Sequence, residues 1–135
     1  MDLTVLGTHS PEDCGRVSRV LARVGDKWSV LIVILLRTGP RRFNDIKRNV
    51  SGISQQMLTR VLRGLERDGM LTRTVYPTVP PQVEYALTAL GQSLGEPVLA
   101  LGLWAQRHID SIEAAQAAFD DKQRDAQPRM TSQAT

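Results

Sequence analysis

The stretch SQQMLTRVLRGLERDG, from Ser54 to Gly69, decides the fold. Met57, Leu58, Val61, Leu62 and Leu65 recur at the three-to-four spacing that lines apolar side chains along one side of a helix. Ser54 stands where an N-cap hydroxyl accepts a backbone N–H of the first turn. Gly69 closes the pattern, because a glycine just past a helix end takes the left-handed conformation without steric cost. If the stripe faces a core, then Gln55, Gln56, Thr59, Arg60 and Arg63 face outward.

Upstream, Phe43, Ile46 and Val50 mark a short amphipathic helix with Lys47 and Arg48 off its apolar side, and Ser51-Gly52 reads as a turn. Before it, Asp26 fits the N-cap of a helix carrying Trp28, Leu31, Ile32 and Leu35 and stopping at Thr38-Gly39-Pro40. The run VLIVILL (Val30–Leu36) also suits a buried strand. The cap, a length of about 12 residues and the Gly-Pro stop favour a helix buried nearly all round. A first helix is expected from Gly15, with Val17, Val20, Leu21 and Val24 on one face and Gly25 ending it. Downstream the period changes to two: Leu71–Tyr76 and Gln82–Leu87 alternate as strands do, around a loop with three prolines. Thr88 is expected to cap a last helix bearing Leu90, Leu94, Val98, Leu101, Trp104 or Ala105, and Ile109 and running on towards Ile112, with Pro97 either bending it or marking its start. The chain beyond about Asp120 is polar and is expected to fray.

Short helix, turn, capped second helix and hairpin together give a mainly α fold with a small β-hairpin (α+β), a winged helix-turn-helix. The expected organisation is a tail over 1–13, a winged domain with its dimerisation helices over 14–112, and a partly disordered extension over 113–135. The outward residues of the second helix suit a major groove: glutamine pairs with adenine edges, arginine with guanine or phosphate, and threonine with phosphate or a thymine methyl. Arg73, Thr74, Tyr76 and Thr78 on the wing, and Arg41 and Arg42 ahead of the short helix, are candidates to hold the backbone of double-stranded DNA. An exposed arginine alone is usually a solubilising charge. The combination, with Ser54 at the helix start, is what points to DNA.

Charge agrees with this placement. The 135 residues carry a net charge of +3, unevenly spread. Arg37 to Tyr76 holds nine Lys/Arg against three acids, a net +6, whereas Pro77 onward holds four against seven, a net −3. A basic middle suits a polyanion and an acidic end a different task. No apolar run approaches the roughly 18 residues that span a bilayer, and the first residues lack a secretory pattern, so a cytoplasmic protein without membrane attachment is expected. With only Cys14, His9 and His108 as soft ligands, neither a disulfide framework nor a zinc site is expected, and no cofactor.

Several short motifs, in order, resemble the HxlR-type regulators: Cys14-Gly, Gly25-Asp-Lys-Trp28, Gly39-Pro-Arg-Arg-Phe43-Asn-Asp-Ile46, Gly52-Ile-Ser-Gln-Gln-Met-Leu-Thr-Arg60, Leu65-Glu-Arg-Asp-Gly69, Tyr76-Pro-Thr-Val-Pro-Pro-Gln-Val-Glu-Tyr85 and Leu87-Thr-Ala-Leu-Gly91. The likeness covers about residues 14–110. It implies a homodimer on a palindromic operator, joined through the first and last helices. Val17, Val20, Leu21, Leu94, Val98, Leu101, Trp104 and Ile109 are the candidate interface residues. It also implies a cysteine ahead of the first helix that in some members senses oxidants or electrophiles; Cys14 is that candidate, and a half-buried interface residue is the alternative.

Three other readings are weighed. An enzyme using Cys14 needs a base, for which His9 is the nearby choice, and the chain has no GxSxG elbow or phosphate loop. A winged module for protein–protein contact usually lacks basic residues such as Arg60, Arg63 and Arg73. A regulator answering to a small apolar ligand would place Trp28 or Trp104 at its site.

Overall fold

The computed structural model describes residues 11–126. Residues 1–10 of the expected 1–13 tail, with His9, and residues 127–135 lie outside the described residues. Helix α1 (Pro11–Val24) begins earlier than the apolar spacing suggested, so Pro11 to Asp13 belong to it and Cys14 lies in its first turn rather than ahead of it. Gly25 ends it, its N–H donating to the carbonyl of Leu21 at 2.8 Å. Helix α2 (Lys27–Leu36) opens on Asp26, whose carboxylate accepts the N–H groups of Trp28 and Ser29 at 3.1 and 3.2 Å. Ile32, Val33 and Leu36 are buried and Trp28, Val30, Ile34 and Leu35 pack partly on the core, while Leu31 stays 42% exposed.

Two residues, Arg41–Arg42, form strand β1, and helix α3 (Phe43–Asn49) follows at once. Gly52 turns the chain with φ +86°. Helix α4 (Gln55–Arg67) starts on Ser54, whose Oγ accepts the Met57 N–H at 3.1 Å. Leu58, Val61, Leu62 and Leu65 are buried along it, and Gly69 closes it at φ +77°. Strands β2 (Leu71–Tyr76) and β3 (Gln82–Leu87) have the boundaries expected from alternation. The sheet, however, is three-stranded and antiparallel in the order β1-β3-β2, not a bare hairpin. A two-residue strand carries no period, so β1 is invisible to alternation.

Helix α5 (Ala89–Ala126) opens with the Thr88 hydroxyl accepting the Gly91 N–H at 3.1 Å and donating to the Gly69 carbonyl at 2.6 Å. Pro97 lies inside this helix and neither starts nor ends it. The helix also continues through 113–126, into the extension expected to be partly disordered and past Asp120, where fraying was expected. Ala114, Ala115, Ala117 and Ala118 are strong helix formers, and propensity outweighs polarity here. Residues up to Val98 form one compact unit and those from Leu99 a second. The first unit has its core between α2, α3, α4 and the sheet, with Leu58, Leu62, Leu65, Ile32, Ile46 and Leu71 nearly inaccessible. Val98 joins this core at 5% exposure and Leu94 packs against it. The second unit is helical and displays Leu101, Trp104, Ile109 and Phe119, with Trp104 stacked on His108 at 4.7 Å. No described helix is long and apolar enough to cross a membrane.

Candidate nucleic-acid interface

The buried stripe of α4 fixes what the helix shows. Gln55, Gln56, Thr59, Arg60 and Arg63 are all exposed. The Thr59 hydroxyl donates to the Gln55 carbonyl at 2.9 Å, so its methyl is the group left to present. Among the described residues, Arg42, Arg60, Arg63 and Arg73 form no ion pair. Their charge is not cancelled locally, which is the electrostatic requirement for meeting phosphates.

The wing residues divide between two faces, because directly opposed residues of a sheet point the same way and neighbours in a strand point opposite ways. Arg41, Tyr85 and Arg73 lie opposite one another across β1, β3 and β2. Tyr85 is buried, so this row faces the helices. Arg73 there joins Thr59, Arg63, Glu66 and Tyr85 around a cleft of about 530 Å³. The next row is Arg42, Glu84 and Thr74, on the opposite face. Tyr76 shares that face, and its hydroxyl donates to Glu84 Oε1 at 3.2 Å. Thr78 at the tip donates to the Pro80 carbonyl at 2.8 Å, beside a fully exposed Val79. The wing positions grouped together in the sequence are therefore two sets: Arg73 beside the recognition helix, and Thr74 and Tyr76 on the far side of the sheet.

Arg41 is not a loose phosphate clamp. Its Nη1 donates to Asp45 at 2.9 Å and its Nη2 to Thr38 Oγ1 at 3.2 Å. Asp45 also takes Arg48 at 3.3 Å and Asn49 at 3.1 Å. The hydrogen bond from Arg41, reinforced by both arginine charges, holds the Asp45 carboxyl below its ordinary value of 3.8. The folded state thus prefers the ionised form: this stabilisation is present above the ordinary value and is lost as pH falls through the lowered one. Arg48 and Asn44 were not among the candidate DNA contacts, yet they line a second cleft of about 510 Å³ with Arg42, Asp45 and Pro80 to Val83. The off-core position of Arg48 on a short amphipathic helix was the available signal. Asp45→Asn releases Arg41 and Arg48 and is expected to raise affinity for duplex DNA about threefold at low salt, with a steeper salt dependence, by fluorescence anisotropy.

Of the candidate interface residues in the first unit, Val20 and Leu21 are more than half exposed, Val17 and Leu94 are half-buried, and Val98 is withdrawn into its own core. In the second unit Leu101, Trp104 and Ile109 are exposed. Trp28 packs on the core, under Lys27, whose Nζ lies 4.2 Å from the ring centre.

A short helix, a glycine turn, a capped helix with a polar outer face and a sheet projecting a hairpin define a winged helix-turn-helix protein. The match to the HxlR-like helix-turn-helix family runs over residues 23–113, and the chain belongs to that family: it is a transcriptional regulator with a helix-turn-helix. It is 45% identical over 95 residues to the HTH-type transcriptional regulator YtfH of Escherichia coli, covering 70% of this chain and 75% of that one. Among solved structures it is similar to the putative transcriptional regulator ytfH from Salmonella typhimurium, with TM-score 0.71 and 42% identity over 75% of this chain and 90% of that one. It is also similar to the redox regulator HypR in its oxidized form, with TM-score 0.64 and 40% identity over 68% of this chain and 95% of that one.

Proposed function

We propose that the protein is a sequence-specific DNA-binding regulator that acts as a homodimer on a palindromic operator, and that Cys14 makes this binding responsive to oxidants. The observation that carries the reading is the outer face of α4, where two glutamines, a threonine methyl and two arginines without acidic partners among the described residues lie together. Arg73, brought beside that helix by the sheet register, supplies backbone charge. Exposed apolar residues on α1 in the first unit, and others on the distal part of α5 in the second, each support pairing with a second copy. A two-fold dimer places its reading helices about one DNA turn, roughly 34 Å, apart.

The redox part rests on the exposed thiol in the first turn of α1 and on the likeness to HypR. Two Cys14 thiols, one from each protomer, would join as a disulfide. Their two protons and two electrons pass to an oxidant such as diamide, which becomes the hydrazine. The test is a footprint on the promoter beside the gene, with and without diamide, for the wild type and Cys14→Ser. Two symmetric protected half-sites are expected, with diamide changing occupancy about tenfold in the wild type only. An equal response in both proteins defeats the redox part, and no protection at all defeats the DNA reading.

A further inference from the structure

We propose that Arg23 is a positioning residue for the reading helix: it seats α4 by lying over Gly64 and pairing with Asp68, and so makes the placement of α1 part of operator recognition. The proposal rests on the DNA-reading role given above. Arg23 sits in the last turn of α1. Its Nε donates to Asp68 Oδ2 at 2.6 Å, across 45 residues of sequence, and both side chains are half-buried.

Two features of α4 have no purpose within that helix alone. Asp68 is its C-cap, where the negative end of the helix dipole disfavours a carboxylate. Gly64, one turn earlier, is among the least favourable residues for a helix interior. Arg23 accounts for both. Its guanidinium offsets the Asp68 charge, and it occupies the space a side chain at position 64 would need: a Cβ there would land on Arg23 Nη1 and lie 2.9 Å from Cζ. The glycine is a groove for the arginine.

The contact also reaches the reading face. Gly64 follows Arg63 directly and lies one turn beyond Arg60. Arg23 and Arg60 line the same cleft of about 240 Å³, with Asp26, Ser29, Met57 and Val61. Val24 is the α1 side chain that packs on the core, while Val20 and Leu21 point away from it. Arg23 is thus a polar hold between α1 and α4. Base contacts tolerate errors of only a few tenths of an ångström, so a helix reseated at this end meets the groove differently.

Gly64→Ala separates positioning from bracing. The atoms it displaces are the far end of a flexible side chain, so the arginine is pushed off Asp68 while α4 gains a better helix former. The experiment takes a duplex enriched by the wild-type protein from a random-sequence pool, and a scrambled duplex of equal length. Affinity for both, and Tm, are measured for the wild type, Arg23→Ala, Gly64→Ala and the double variant. Each single change is expected to lower the preference for the enriched duplex about tenfold, the worth of one good base contact. The double variant should lose no more than either single, because both break one contact. Gly64→Ala should melt no lower than the wild type. The proposal is overturned if Gly64→Ala keeps the wild-type preference, if it weakens both duplexes equally, or if the two losses multiply. A wild type that enriches no duplex overturns the DNA-reading role itself, and does so before any variant is made.

Discussion

Changing Arg60, Arg63 and Arg73 together to alanine is expected to lower affinity for duplex DNA about a thousandfold, at roughly tenfold for each lost guanidinium contact. Among the described residues the three hold no ion pairs, so their removal strands no buried acid there. All three are exposed, and surface changes of this kind move stability by about 0.5 kcal/mol or less. The loss should therefore appear as binding and not as unfolding. Its signature is the salt dependence: the slope of log affinity against log salt should fall by about 0.9 for each of the three that touches a phosphate. A salt titration by anisotropy, with circular dichroism to check folding, measures both. An unchanged slope would remove these residues from the backbone contact.

The second large effect is on the fold. Gly91→Ala is expected to destabilise the domain by about 3 kcal/mol, the upper end for overpacking, and to lower Tm by about 10 °C for a chain of this size. A Cβ at Gly91 would run into the Met70 carbonyl oxygen, and Leu87 Cδ2 would lie 3.0 Å away. The oxygen belongs to the backbone and already accepts the Thr88 N–H at 3.0 Å, so it cannot rotate away. Gly91 is where the start of α5 docks on the turn that closes α4, through the Thr88 hydroxyl and the Gly69 carbonyl. Moving that joint disturbs both helices. Thermal melting of Gly91→Ala against Gly95→Ala is informative: the atoms nearest a Cβ at 95 belong to the Arg37 side chain and not to backbone, so the second variant should lose less.

Where local chemistry decides a position, the sequence was readable. The carboxylate of Asp26, the hydroxyl of Ser54 and the free φ of Gly69 each act within three residues of themselves, and each marked a helix end. The stripe from Leu58 to Leu65 named the buried side of α4, and with it the exposed one. What could not be read depends on pairing between distant segments. Which face of the sheet Arg73 shares follows from its register with Tyr85, and alternation within one strand does not give it. Arg41 looked like a phosphate ligand until Asp45 was placed one turn along α3. The pair Arg23–Asp68 joins residues 45 apart and leaves no trace in spacing. The continuation of α5 to Ala126 was missed for another reason: polarity argued for a loose end where alanine content argued for a helix.

The sheet order has a bearing on solubility. With β3 in the middle, β2 is an edge, and its outer row of N–H and C=O groups is open to another strand. Val75 in that strand is 49% exposed, which invites stacking. The guard against it is the charge of Arg73 and the polar threonines on either side. A residue placed to meet a polyanion therefore also keeps copies of the protein from adding edge to edge into fibrous aggregates. Any variant that loses the one protection loses the other, and it belongs in dilute solution from the moment it is purified.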